Sequence, residues 1–246
     1  MLKYLGALGL AAFAAGAILA LITILNTPPA YGGTYSDATV VKVSIGEGHG
    51  SGVYIGNNEI LTAAHVAKEG VAAGFTVKDL NGNEVHAVVL WFNEVADVGL
   101  LKLDAPLKNA VPVPLACKTP DVKIGDYVKT IGYPLALDRI HTWGRAASEV
   151  LARDGAHGPG QVNFIADLTT APGNSGGPLF DIAGNLAGIT VASVVSLSAG
   201  PFGVVTSFTM LTYIIPKSVI CRELATELAS KHTAPVKAEP TTEGTL

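Results

Sequence analysis

Charge is scarce in this chain: Asp, Glu, Lys and Arg make up only 15% of its 246 residues, and the formal net charge at pH 7 is -4. The 16 Lys and Arg are scattered. No basic stripe exists to track a phosphate backbone, so nucleic acid is not expected as a partner. Cysteine is scarcer still, with only Cys117 and Cys221. Neither belongs to a Cys-x-x-Cys pair or lies at metal-ligand spacing from a histidine, which argues against zinc. The pair either forms one disulfide, closing a loop of about 100 residues, or stays as two separately buried thiols. His49, His86, His141, His157 and His232 show no paired spacing for metal or phosphate chemistry and read as surface or loop residues. Neither a metal nor an organic cofactor is expected. Trp91 and Trp143 read as packing groups.

Apolar residues, at 49%, are abundant enough to fill a sizeable core. One apolar run stands apart. Tyr4 to Leu25 contains no charged residue, and as a helix it would reach roughly 33 Å, enough to span a bilayer. The expectation is an N-terminal transmembrane anchor within 1–29, with Lys3 on the cytoplasmic side. The alternative is a secretory signal cleaved near Ala15-Gly16-Ala17. Both readings place the remainder outside the cytoplasm, in a periplasmic or extracellular setting.

After a linker over 30–38, short runs rich in Val, Ile and Thr occur at 39–43, 51–55, 59–62, 76–79, 84–91 and 98–103, punctuated by Gly, Asn and Asp. These read as the strands of one barrel, spanning 39–115, with Asn81-Gly82-Asn83 as a hairpin turn. The stretch 105–125 is richer in Pro and polar residues, and the inter-lobe connection is set at 116–126. A second series follows at 127–131, 146–151, 161–165, 178–181, 186–195 and 202–208, within a second barrel spanning 127–215. Val219, Ile220, Leu224 and Leu228 then recur at helical spacing, which predicts a C-terminal helix over 216–231, and a disordered tail follows at 232–246. The expected class is all-β.

The chemistry centres on Gly173-Asn174-Ser175-Gly176-Gly177-Pro178. A hydroxyl flanked by glycines can sit on a tight turn whose N–H groups, here those of Gly173 and Ser175, face a developing oxyanion. A serine needs a base, and His65 follows Leu61-Thr62-Ala63-Ala64 at the end of a strand. Asp97, at the mouth of the apolar run Val98-Gly99-Leu100-Leu101, supplies a carboxylate able to fix the imidazole tautomer. Each residue alone has an ordinary structural reading. Together, in the order His, Asp, Ser, with two in the first lobe and one in the second, they make a triad.

These pieces, with Gly50-Ser51-Gly52-Val53 and Ile131-Gly132-Tyr133-Pro134, resemble the trypsin-like serine proteases, and within them the HtrA/Deg branch, over about 39–215. The resemblance implies two perpendicular six-stranded antiparallel β-barrels with the triad between them. It also implies a serine endopeptidase acting on protein or peptide substrates, with His65 as base, Asp97 as its orienter and Ser175 as nucleophile. Asn174 stands where trypsins carry an Asp that pairs with a newly cut N-terminus, so that activation switch is not expected. No PDZ domain is expected after the catalytic unit. By the same resemblance Thr169 should lie at the base of the pocket for the residue preceding the scissile bond, with Val191, Ala192, Ser193 and Gly203 as walls. None is charged, which predicts cleavage after small or medium aliphatic residues. Asp167 lies nearby and reads as solvated or structural. The rival function is a membrane-anchored polypeptide-binding module on a protease fold.

Overall fold

The computed structural model describes residues 37–155, 158–200 and 203–233. The chain divides into two units, Met1–Tyr31 and Gly32–Leu246, and every described residue belongs to the second. The expected N-terminal anchor and nearly all of the expected tail therefore lie outside the described residues. Among those described, no helix is long and apolar enough to cross a membrane.

The first lobe is a closed barrel. Its strands are β1 (Val40–Ile45), β2 (Gly48–Gly56), β3 (Glu59–Thr62), β4 (Phe75–Lys78), β5 (Glu84–Asn93) and β6 (Val98–Leu103), in the order β1-β2-β3-β6-β5-β4. β4 pairs back onto β1, with Val43 opposite Val77. β2 and β3 are joined by Asn57-Asn58, both at positive φ (53° and 58°), which matches the right-handed twist of the strands they connect. A short helix, α1 (Ala64–Glu69), follows β3.

Strand alternation explains how this barrel is filled and joined to its neighbour. Val41, Val43, Ile60, Phe75, Val77 and Leu101 form one buried cluster. Their immediate neighbours Val40 and Leu61 point the other way, into a cluster shared with Ile131, Phe180, Leu186, Ile189 and Ile215 of the second lobe. Each such fully buried side chain contributes about 1.5–3 kcal/mol. A third cluster, with Val128, Phe164, Leu168, Leu179 and Ile214, belongs to the second lobe alone.

The second lobe departs from expectation. It contains β7 (Tyr127–Gly132), β8 (Ile140–Arg145), β9 (Leu151–Gly155), β10 (Gly158–Ala166), β11 (Pro178–Asp181), β12 (Leu186–Gly200) and β13 (Gly203–Pro216). They form a seven-stranded sheet in the order β8-β7-β11-β12-β13-β10-β9, not a second closed six-stranded barrel. Across the gap a single bridge, Ala146 to Ala166, links the segment after β8 to the end of β10, which is too short to close a ladder. Of the run 146–151 expected as one strand, 146–150 connect β8 to β9 and Leu151 opens β9. The run's Val and Leu suggested a strand, but the six-residue register with β7 belongs to the more polar run before it.

The chain ends its described part in α2 (Lys217–Thr233), one residue later at its start and two later at its end than expected. Cys221 on α2 is bonded to Cys117 on the inter-lobe connection, with a Cα–Cα distance of 5.7 Å, so the disulfide reading holds over separate thiols. Lys217 is buried and donates to Thr119 Oγ1 (2.5 Å) and Pro120 O (3.2 Å), which fastens the start of α2 to the same connection.

Candidate active site

His65 is the second residue of α1. The helix lies close on β6 because Ala63, Ala64 and Ala67 are fully buried and small, and a Cβ added at Gly99 would meet the Ala67 Cβ at 2.8 Å. The Thr-Ala-Ala-His run is thus a packing device that brings the imidazole next to the start of β6. There Asp97 closes the turn between β5 and β6 at φ 54°, in the left-handed region that Asp tolerates better than most residues. The turn is held by Asn93, whose Oδ1 accepts from Val95 N (2.9 Å) and Ala96 N (3.2 Å). Asn93 Nδ2 in turn donates to Glu223 on α2 at 2.9 Å.

Asp97 is 1% exposed, and both its oxygens lie 3.0 Å from His65 Nδ1. The His65 backbone N–H also donates to Oδ1 at 3.0 Å. A carboxylate only accepts, so Nδ1 carries the proton and the lone pair is left on Nε2. The local geometry fixes one tautomer.

Ser175 occupies the turn between β10 and β11. Its carbonyl accepts from Ser51 N (2.8 Å), and Gly176 N donates to Thr190 O (2.7 Å), so the turn is clamped between the first lobe and β12. Two glycines are required here. Gly173 and Gly176 stand at φ 103° and 81°. A Cβ at Gly173 would fall 2.3 Å from Tyr133 O, and one at Gly176 would fall 2.1 Å from Thr62 Oγ1. The Ser175 hydroxyl donates to Val191 O at 3.2 Å. Ser175 and His65 both line a cavity of about 210 Å³ with Thr170, Pro172, Val191, Ala192, Ser193 and Phe208.

Ser51 was visible only as part of the Gly50-Ser51-Gly52-Val53 motif, yet from within β2 it bridges the lobes. Its fully buried hydroxyl donates to Gly173 O (2.7 Å) and accepts from Tyr133 N (3.0 Å). Its carbonyl accepts from Thr62 Oγ1 at 2.8 Å. Beside it, His49 Nε2 lies 2.8 Å from Tyr133 O, with Ala136 N at 3.2 Å. Burial pushes the Tyr133 phenol upward from its ordinary value.

The expected pocket residues divide. Val191, Ala192 and Ser193 line the cavity beside Ser175. Thr169 is exposed and its neighbour Thr170 takes the wall, buried, with Oγ1 2.8 Å from both Ser193 Oγ and Thr212 Oγ1. The pattern Asp167, Thr169 exposed against Leu168, Thr170 buried is a strand-like alternation one residue out of register with the expectation. Gly203 is the first residue of β13, at the far end of its pairing with β12, exposed and outside the cavity. Phe208 was missed because nothing local marks it; it reaches the cavity only through its pairing opposite Val195. Asp167 accepts from the Arg145 backbone N–H, the structural reading. His86 is paired with Asp104 on the surface, and no cluster of three or more metal-ligating side chains occurs among the described residues. Trp91 packs against the shared core, whereas Trp143 is exposed with Lys129 Nζ 5.7 Å from its ring centre.

Known proteins resemble this chain in sequence and fold. The family model of the trypsin-like peptidase domain matches residues 50–189. The putative serine protease HhoA of Synechocystis is 34% identical over 153 residues, covering 59% of this chain and 37% of that protein. A probable periplasmic serine endoprotease, DegP-like, of Brucella suis is 33% identical over 156 residues, covering 63% and 29% respectively. The chain thus spans about a third of the length of these curated relatives. Among solved structures, the serine endoprotease from Yersinia pestis superposes with a TM-score of 0.58 at 26% identity, covering 84% of this chain and 67% of that one. The Rv3671c protease in its inactive form gives 0.60 at 21% identity, covering 78% and 89%, a likeness of fold. Since the matched segment runs from Gly50-Ser51-Gly52 in β2 through His65, Asp97 and the Ser175 turn to Ile189, the chain belongs to the trypsin-like peptidase domain family.

Proposed function

We propose that this chain is a serine endopeptidase of the HtrA/Deg kind, with His65, Asp97 and Ser175 as its triad. The observation that carries the reading is the His65–Asp97 pair: a buried carboxylate 3.0 Å from Nδ1 leaves Nε2 as base, in a cavity wall that also holds the Ser175 hydroxyl. In the reaction the Ser175 hydroxyl turns from Val191 O to His65 Nε2. Its oxygen bonds to the scissile carbonyl carbon as the proton passes to the imidazole. The carbonyl electron pair moves to oxygen, which the N–H groups of Gly173 and Ser175 stabilise. Collapse breaks the C–N bond, the imidazolium gives its proton to the leaving amine, and water repeats the sequence in reverse roles to free the acid.

The cavity beside Ser175 has no carboxylate or basic side chain on its wall apart from His65. Small or medium aliphatic side chains before the scissile bond fit its chemistry, with Thr170, Val191, Ala192, Ser193 and Phe208 around them. The Cys117–Cys221 disulfide, the uncharged run from Tyr4 to Leu25 and the periplasmic naming of relatives all support work outside the cytoplasm, tethered to a membrane.

The test is hydrolysis of an unfolded protein such as casein by the full chain. The wild type should cleave it, and Ser175→Ala should lose essentially all cleavage. Undiminished activity in Ser175→Ala overturns the reading. Retained casein binding without cleavage by the wild type favours a binding module.

A further inference from the structure

β12 and β13 outrun the sheet that holds them. β11 pairs with β12 only as far as Ile189, and β10 meets β13 only at Thr212, Tyr213 and Ile214. From Val195 to Gly200 and from Gly203 to Phe208 the two strands pair only with each other. Cross-strand partners share a face, so Val195 with Phe208, Leu197 with Thr206 and Ala199 with Val204 stand on one side, and Ser196 with Ser207 on the other. The apolar side is open to solvent: Leu197 is 68%, Val204 70% and Phe208 56% exposed. No charged residue occurs between Asp181 and Lys217.

This face is continuous with the candidate active site. Phe208 lines the cavity beside Ser175, as do Val191, Ala192 and Ser193 at the base of the hairpin. The edge of β12 that β11 leaves at Ile189 is the edge on which Gly176 N meets Thr190 O and the Ser175 hydroxyl meets Val191 O. Beyond the cavity that edge has no paired strand among the described residues. An open edge beside an apolar face is the surface to which an extended polypeptide adds as a further strand.

We propose that the β12–β13 hairpin is a docking strand for polypeptide substrates that are extended, apolar and uncharged well before the bond that is cut. It rests on the endopeptidase reading above. With the residue preceding the scissile bond at Val191 to Ser193, roughly the fourth to ninth residues before that bond run antiparallel along Val194 to Ala199, extending the Leu197 face by one strand. Lipid is the poorer occupant. Hydrocarbon leaves the open backbone edges of a two-stranded hairpin without hydrogen-bond partners, whereas a polypeptide supplies them.

The experiment compares three peptides that share their residues from the third before to the third after the scissile bond. One ends there, one continues toward its N-terminus with six alternating Val and Thr, and one with six alternating Asp and Thr. The apolar extension should raise kcat/KM about tenfold or more over the short peptide, and the Asp extension should not. Leu197→Asp combined with Val204→Asp should erase that ratio, while Ser196→Asp on the opposite face should keep it. Equal kcat/KM for all three peptides overturns the proposal. So does a ratio unchanged in the double variant, or a double variant whose only losses are sedimentation with phosphatidylcholine–phosphatidylglycerol vesicles or self-association in light scattering. Binding of the fluorescently labelled peptides to Ser175→Ala, read by anisotropy, separates the two claims. If the wild type cleaves nothing, the endopeptidase reading fails, and a preference for the apolar extension in anisotropy still decides docking.

Discussion

The two lobes share a hairpin and part company at their edges. Asp79-Leu80-Asn81-Gly82-Asn83 in the first lobe and Asp181-Ile182-Ala183-Gly184-Asn185 in the second make the same turn. In each, the Asp backbone N–H donates to the Asn carbonyl at 3.0 Å, the Asp carboxylate accepts from the Asn backbone N–H at 2.9 Å, and Gly is left-handed. The first lobe closes its six strands into a barrel, whereas the second leaves its sheet open and sends β12 and β13 beyond it. The closed lobe can hold His65 against Asp97 to within 3.0 Å, and the open one can offer an edge beside Ser175. On the proposed reading, rigidity for the base and access for the chain to be cut are assigned to different lobes.

The disulfide tests how far α2 supports that division. It closes a separation of 104 residues, for which chain entropy gives at most about 4–5 kcal/mol. Cys117→Ser with Cys221→Ser should lower the melting temperature by about ten degrees or more, and loosening α2 should free Glu223 from Asn93 below Asp97. A shift of only a degree or two in thermal unfolding would mean that α2 is held by packing alone.

Gly173→Ala bears on the second lobe's turn. Its added Cβ would meet Tyr133 O and His49 Nε2 at 2.3 and 2.4 Å, and the turn must move. A fall in kcat of about 10²–10³, or about 3–4 kcal/mol, is expected in steady-state kinetics. Wild-type kcat would separate this turn from the chemistry.

Ser51→Ala removes the one hydroxyl that joins Tyr133 N to Gly173 O across the lobes. Leaving that buried N–H unsatisfied costs about 1–3 kcal/mol. Because Gly173 O loses its anchor, kcat should fall by about tenfold while KM changes little. A change in KM alone would make Ser51 a residue of substrate binding and not of positioning.

The smallest effect separates the two matched turns. Burial disfavours the charge on Asp79, but hydrogen bonds from Asn83, Asn81 and Asn109 outweigh it and hold its carboxyl below the ordinary carboxylate range. A folded pKa below the unfolded one contributes stability that is complete above about pH 4 to 5 and is lost as pH falls through the folded value. Asp79→Ala should therefore cost about 1 kcal/mol at pH 7 and less in acid. Asp181→Ala, in the less buried turn, should cost less at pH 7. Equal costs in denaturant titrations would remove the distinction.

Much of this was legible in the chain. All six strands of the first lobe begin within about three residues of where alternation and turn residues set them, because each run turns apolar residues to a buried surface and most runs are followed by Gly, Asn or Asp. The approach of His65 to Asp97 was legible for a related reason, since one lies just after β3 and the other just before β6, and these two strands pair. The second lobe resisted. β8 is polar and carries no alternation, and the hairpin extension has one apolar face with solvent on both sides, so its length could not be read from burial. Alpha helix α1 hid behind the strand before it, being only six residues long and built from alanines. Thr169 and Thr170 are adjacent and alike, so choosing the pocket wall needed the register of the backbone. Ser51 acts through contacts 82 and 122 residues away, which no local pattern reveals.

The central claim is that Ser175 is a nucleophile activated by His65. Incubating the full chain with a fluorophosphonate probe and mapping the adduct by mass spectrometry tests it most directly. The account predicts a single adduct on Ser175, absent in Ser175→Ala and slowed at least about 100-fold in His65→Ala. No adduct on Ser175, or one that forms equally fast without His65, would contradict it.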